Sequence, residues 1–295
     1  MKQLSLHDPR HKVLETAFSE WLKLTGYAGT SVYSIPNHIR ELLHYLEQQN
    51  KALTALTAQD LHTYFFHLKA RRKQRSPGAL STNYLHKHRQ AVKLFSRYLR
   101  ETDQAYIDVD IQLPGQTRKM QDILTKKEIR ELYNACEPTP VGIRDRAMLA
   151  VFYGCGLRRK EGVNLDITDY NEEKSLLYVR QGKRRERYVP LTQTIKGELS
   201  NYLTYARPQW EGANTTPAFF ISKTGHRLQG QSHMVRFKQL QKKAGIDKNA
   251  GLHSLRHSIA THLLEGEMPL KQIALFLGHR SLESTQIYTH ILHEI

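Results

Sequence analysis

The sequence predicts a mainly α chain in two domains, the second of which holds a small antiparallel β-sheet. Three observations carry that prediction. Apolar residues recur at helical spacing in four successive stretches of the first hundred residues. The helical period is then lost over residues 103–122, around Leu113-Pro114-Gly115-Gln116, and resumes at a capping box formed by Thr125 and Glu128. Further on, the period changes to two over Leu176–Arg180 and Arg187–Leu191, which read as a hairpin with a basic turn from Gln181 to Glu186. The boundaries follow as an all-α domain over 1–110, a linker over 111–123 and an α+β domain over 124–295.

The first helix is marked by Val13, Leu14, Ala17, Phe18, Trp21, Leu22 and Leu24, and the second by Ile35, Ile39, Leu42, Leu43 and Leu46. Thr57 and Asp60 form a capping box that opens the third, through Leu61, Tyr64, Phe65 and Leu68. The fourth starts near Ser81 and runs through Leu85, His88, Val92, Phe95 and Leu99. Between these last two lies a basic run with Lys69, Arg71, Arg72, Lys73 and Arg75, then Ser76-Pro77-Gly78. A charge run of this kind is either a solvated loop or a set of phosphate contacts. The linker adds Arg118 and Lys119. In the second domain a long helix is expected around Ile143 to Tyr153, ending at the sharp turn Gly154-Cys155-Gly156. After the hairpin come a helix near Tyr202, a short strand at Phe219-Phe220-Ile221 with a turn at Thr224-Gly225, and a helix over 231–244. Met268, Leu270, Ile273, Ala274 and Leu277 mark a later helix, with Pro269 near its first turn and Gly278 as its C-cap. Ser281 can then cap one more helix, with Glu283 in its positive first turn.

Composition narrows the partners. Lys and Arg number 44 against 28 Asp and Glu, a formal net charge of +16. Such an excess calls for a polyanion rather than an acidic protein. A membrane is also anionic, but no apolar run nears the roughly 20 residues that span one. The stretch Met1 to Arg10 has no apolar core of a signal peptide, so a cytoplasmic, nucleoid-associated setting is expected. The 2 cysteines, Cys136 and Cys155, make neither a disulfide framework nor a zinc pattern. None of the 16 histidines falls in a metal-binding cluster, so no metal is expected.

The chemistry gathers near the end of the chain. His253 and Arg256, three apart in Gly251-Leu252-His253-Ser254-Leu255-Arg256-His257, project from one helix face. His279 follows the Gly278 cap, and Tyr288 lies seven residues past Ser281, about two turns into the next helix. Two imidazoles, a guanidinium and a phenol that converge in this way suit a phosphate.

His-x-x-Arg-His, then Leu-Gly-His, then Tyr-Thr-His resembles the tyrosine recombinases, the phage-integrase and Xer family. The resemblance covers both domains. It implies an N-terminal core-binding (SAM-like) domain and a catalytic domain of the tyrosine-recombinase type. It also implies roles. Arg158, in Gly156-Leu157-Arg158-Arg159-Lys160-Glu161, matches the first catalytic arginine, with Glu161 as the acid that orients it. Lys183 matches the β-hairpin lysine, His253 and Arg256 the His-x-x-Arg pair, His279 the second histidine and Tyr288 the nucleophile. The family's turn commonly reads Gly-Lys-Gly-x-Lys-x-Arg. Here it reads Gly182-Lys183-Arg184-Arg185-Glu186-Arg187, one residue shorter and without the second glycine. Arg184 and Arg185 are added to the candidate DNA contacts. Only seven residues follow Tyr288, whereas many relatives carry a longer segment that docks on a neighbouring subunit.

The activity so implied is site-specific recombination of double-stranded DNA through a 3′-phosphotyrosyl intermediate, without metal, ATP or other cofactor. A homotetramer on two DNA segments is expected, with a partner recombinase or accessory protein as a further candidate and no membrane. Two other readings stand beside it: a type IB topoisomerase, and a DNA-binding regulator without catalysis. Read singly, each residue has a plain alternative. Tyr288 is one of 15 tyrosines, and the stretch from Leu270 to Tyr288 also fits a helix-turn-helix. The ordered set of six is what favours the enzyme.

Overall fold

The computed structural model describes residues 4–71, 78–105, 107–115, 122–180, 186–212 and 216–278. The chain divides into two compact units, Met1–Arg118 and Lys119–Ile295.

Among the described residues the first unit holds four α-helices: α1 (Pro9–Leu24), α2 (Gly29–Gln48), α3 (Ala58–Ala70) and α4 (Thr82–Glu101). Their starts are written in local chemistry. Asp8 caps α1 ahead of Pro9, Thr57 and Asp60 close a reciprocal box at α3, and Ser81 accepts from the Tyr84 amide at α4. Phe18, Ile39, Leu42, Leu61, Phe95 and Leu99 form the centre of one core. Residues 107–113, where the helical period is lost, supply Ile107 and Ile111 to that core, and Arg89 Nη1 donates to the Ile111 carbonyl at 2.9 Å. Polar groups are also buried there: Tyr64 Oη lies 2.7 Å from His88 Nε2, and Tyr84 Oη donates to Glu41 at 2.9 Å.

The second unit begins with α5 (Lys126–Asn134), capped by the Thr125–Glu128 box, and α6 (Pro140–Leu149). The helix expected to run to Tyr153 changes pitch, because Ala150–Gly154 forms a π-helical turn. The short α7 (Arg159–Val163) follows, then β1 (Tyr170–Asn171), β2 (Leu176–Val179) and β3 (Arg187–Pro190). The sheet is antiparallel in the order β1-β2-β3, with Leu177 opposite Val189 and Tyr178 opposite Tyr188. Leu177, Val179 and Val189 face inward, which is the alternation that the period of two requires. β1 has no sequence signature, since two residues cannot show a period. Helices α8 (Gln193–Asn201), α9 (Gly230–Lys243), α10 (Leu252–Glu265) and α11 (Leu270–Leu277) follow among the described residues.

The strand expected at Phe219–Ile221 is not one. Two isolated bridges take the place of a ladder, Asp166 with Ala218 just before the stretch and Ile221, its last residue, with Arg227. Phe219 and Phe220 are both buried, and the backbone bends at them instead of continuing a ladder. No helix among the described residues is long and apolar enough to cross a membrane.

Candidate active site

Two turns of backbone prepare the site. The first follows the π-helical turn, where Gly156 takes φ +61° and a Cβ would lie 2.7 Å from Leu277 Cδ2. Glycine is required there both by the left-handed conformation and by the close approach of α11. The turn delivers Arg158 to the start of α7. Glu161 then reaches back, accepting from the Arg158 amide at 2.9 Å and from its Nη1 at 2.7 Å. The second turn is at Gly251, which opens α10 with Ser254 Oγ accepting from the Gly251 amide at 3.0 Å. His253 and Arg256 sit on the first turns of this helix but at different depths. His253 is exposed, whereas Arg256 is 3% exposed.

The groups meet at the C-terminus of α11. The last carbonyls of a helix have no partners within it, and they carry the negative end of its dipole. Three guanidiniums from three separate elements occupy them in succession. Arg187, the first residue of β3, donates from Nε to the Phe276 carbonyl at 2.9 Å. Arg256 donates from Nη2 to the Leu277 carbonyl at 2.6 Å and from Nη1 to that of Gly156, also at 2.6 Å. Arg158 donates from Nη2 to the Gly278 carbonyl at 3.0 Å. Gly278 itself closes the helix at φ +64°, as its C-cap position requires.

Glu161 lies under the same three cations. Besides Arg158, its Oε2 pairs with Arg187 Nη2 at 3.0 Å and lies 4.0 Å from Arg256 Nη1. Its side chain is 5% exposed, so these interactions act with little solvent screening. Three guanidiniums against one carboxylate leave the site cationic. Partial desolvation of the ring, then the charges of Arg256 and Arg158, hold His253 below the usual imidazole range, so its ring is neutral at pH 7 although part of the residue is exposed. Burial and His253 push His257 down to about 4. Beside the cluster runs a groove lined by Arg158, Arg159, Lys160, Lys238, Asn249 and His253. It offers cations and a neutral base to a bound anion. Among the described residues no group of His, Cys, Asp or Glu could hold a metal ion.

Residues 122–294 match the phage integrase family. The chain belongs to that family. Among curated relatives, tyrosine recombinase XerD of Oceanobacillus iheyensis is 30% identical over 90% of this chain and 89% of its own length. Tyrosine recombinase XerC 2 of Ralstonia nicotianae is 32% identical over 93% of this chain and 80% of its own. Among solved structures, a XerH site-specific recombinase bound to palindromic difH substrate shares the fold, with a TM-score of 0.76 and 18% identity over 98% of this chain and 95% of that one. This phage integrase family member is therefore a tyrosine-type DNA strand transferase, and its activity at that level is site-specific DNA recombination.

Of the positions singled out by the family motif, the structure brings Arg158, Glu161, His253 and Arg256 into one region. Lys183, His279 and Tyr288 lie outside the described residues, as do Arg72, Lys73, Arg75, Arg118, Lys119, Arg184 and Arg185 and the helix expected after Ser281. Lys69 is exposed, while Arg71 turns to Glu41 at 2.6 Å. Sequence reasoning gave Arg187 no role in the site: it read the residue as the start of a strand and as the end of the turn compared with the family motif. The signal was present. Arg187 is in phase with Val189 along β3, and an arginine at an inward position needs a buried partner.

Proposed function

We propose that this recombinase cuts and rejoins double-stranded DNA at a specific site through a 3′-phosphotyrosyl intermediate on Tyr288, without metal or ATP. The observation that carries this reading is the convergence of Arg158 and Arg256 on Glu161 and on the carbonyls directly before His279. Guanidiniums offer fixed donors that keep their protons, which suits the charge that grows on non-bridging phosphate oxygens during attack. Arg158 and Arg256 take that role, with Glu161 holding Arg158 in orientation. His279 donates to a phosphate oxygen.

A phenol with a pKa of about 10 is a weak nucleophile at neutral pH. The neutral ring of His253 takes its proton as Tyr288 Oη bonds to phosphorus. The bond from phosphorus to the 5′-oxygen breaks, and Lys183 gives that oxygen a proton. The phosphotyrosyl ester conserves the energy of the broken bond, so the 5′-hydroxyl of another strand reseals it by the same steps in reverse.

The helical first unit serves as the core DNA-binding domain. Exposed Lys69, with Arg72, Lys73, Arg75, Arg118, Lys119, Arg184 and Arg185, supplies phosphate contacts of low sequence content. The net charge of +16 supports that role. A homotetramer holding two DNA segments, with a partner recombinase or accessory protein where sites differ, completes the reading. The curated relatives are bacterial, which supports a cytoplasmic, nucleoid-associated setting.

The test is a nicked suicide substrate that traps covalent adducts. Tyr288→Phe should bind DNA as the parent does and form no adduct, since only the phenolic oxygen is removed. Adduct formation by that variant refutes the assignment of the nucleophile.

A further inference from the structure

Glu161 acts on Arg158 in two opposed ways. At 2.7 Å from Nη1 it fixes the guanidinium, and at the same time it cancels positive charge that a phosphate would meet. Its Oε2 also lies 4.0 Å from Arg256 Nη1, the second guanidinium of the pair. The carboxylate is buried, so solvent does little to screen either interaction.

Arg187 stands against that same oxygen. Its Nη2 pairs with Glu161 Oε2 at 3.0 Å, and its Nε donates to the Phe276 carbonyl in the last turn of α11 at 2.9 Å. The side chain is 11% exposed, against 32% for Arg158, which opens on the groove. Arg187 is therefore placed to meet the carboxylate rather than a ligand in the groove. Three guanidiniums less one carboxylate give these four side chains a formal charge of +2, which falls to +1 without Arg187. Fold stability alone does not ask for the arrangement. Arg187 Nη1 is buried with no hydrogen-bond partner among the described residues, a cost that an apolar side chain at this inward position would spare.

We propose that Arg187 is a positioning residue for strand cleavage that acts through Glu161. It draws Oε2 to the side of β3 and offsets its charge. Glu161 can then orient Arg158 without neutralising the two guanidiniums that grip the phosphate. The proposal rests on the reading of Arg158 and Arg256 as that grip. Its consequence is that Arg187 matters to the chemistry only while the carboxylate is present.

The experiment is a double-mutant cycle on the full chain, read as single-turnover cleavage of the nicked suicide substrate at saturating DNA. Arg187→Met should slow cleavage by on the order of 10-fold, less than the loss of a direct donor to the reacting phosphate. In the Glu161→Gln background the same substitution should change the rate by less than about threefold, since no carboxylate remains to be offset. Arg187→Lys keeps a charge beside Glu161 and should stay within about threefold of the parent. Equal slowing by Arg187→Met in both backgrounds overturns the proposal, because a prop for the fold or a direct phosphate contact would act in each. So does an unchanged rate in the parent background, or a loss with lysine as large as with methionine. Should Arg187→Met fail to melt cooperatively, Arg187→Gln carries the same comparison, since it is neutral but still polar; failure of both to fold makes the arginine a prop and overturns the proposal as well. Parental cleavage by Arg158→Ala refutes the phosphate-grip reading instead.

Discussion

Replacing Glu161 by glutamine tests the electrostatic logic of the site most directly. The side chain keeps its shape and can still accept from the Arg158 amide, but the carboxylate paired with both Arg158 and Arg187 is lost. Each pair, at 2.7 and 3.0 Å, represents a gross attraction of about 6 kcal/mol at an effective dielectric of about 20. Most of that is offset in the native protein by the desolvation of the carboxylate. Glutamine removes the attraction and leaves the buried Arg187 and Arg256 facing a partly exposed Arg158, and breaking a buried pair in this way costs about 3–5 kcal/mol. For a unit spanning Lys119–Ile295, each kcal/mol lowers Tm by roughly 2–4 °C, so a fall on the order of 10 °C is expected by differential scanning calorimetry. Cleavage well below the new Tm should slow by on the order of 100-fold, because Arg158 loses the acceptor that orients it. Affinity for DNA should hold or rise, since the site gains positive charge. That opposite movement of binding and cleavage is the signature. Slower cleavage with proportionally weaker binding would show only a damaged fold, and an unchanged Tm would refute the buried-cluster argument.

Two further outcomes follow from the same structure. Gly156→Ala combines a left-handed residue, about 1–2 kcal/mol, with overpacking against Leu277, about 1–3 kcal/mol. Chemical denaturation should register about 2–5 kcal/mol of lost stability, and cleavage should fall because the Gly156 carbonyl that holds Arg256 moves; a variant with parental stability and rate refutes the close approach. His233 is buried between Phe152 and Phe220, and burial pushes it down to about 3. The unfolded chain takes up its proton near pH 6.5 while the native one does not, so stability is intact above pH 6.5 and is lost as pH falls toward 3, by about 2 kcal/mol at pH 5. His233→Leu should match the parent at pH 7 and flatten that acid limb, and an unaltered limb measured by urea titration counts against the assignment.

Much of the fold was legible because it is decided within a few residues. The boxes at Thr57–Asp60 and Thr125–Glu128, the Ser81 cap and the Gly278 terminus each depend on neighbours three or four positions away. The hairpin was legible from its alternation, and the order of Arg158, His253 and Arg256 from the family motif. The sequence could not say how deep each group would lie. His253 and Arg256 share a helical face by spacing, yet one is exposed and the other buried. The partners of Arg256 are 100 and 21 residues away, and no local period reports them. Arg71 and Arg187 make the same point from opposite sides. Both belong to basic runs that read alike, but one was expected to meet DNA and turns to Glu41, and the other was read as a strand residue and joins the site. A guanidinium goes wherever buried acceptors need it. Tertiary contact alone decides where those acceptors lie.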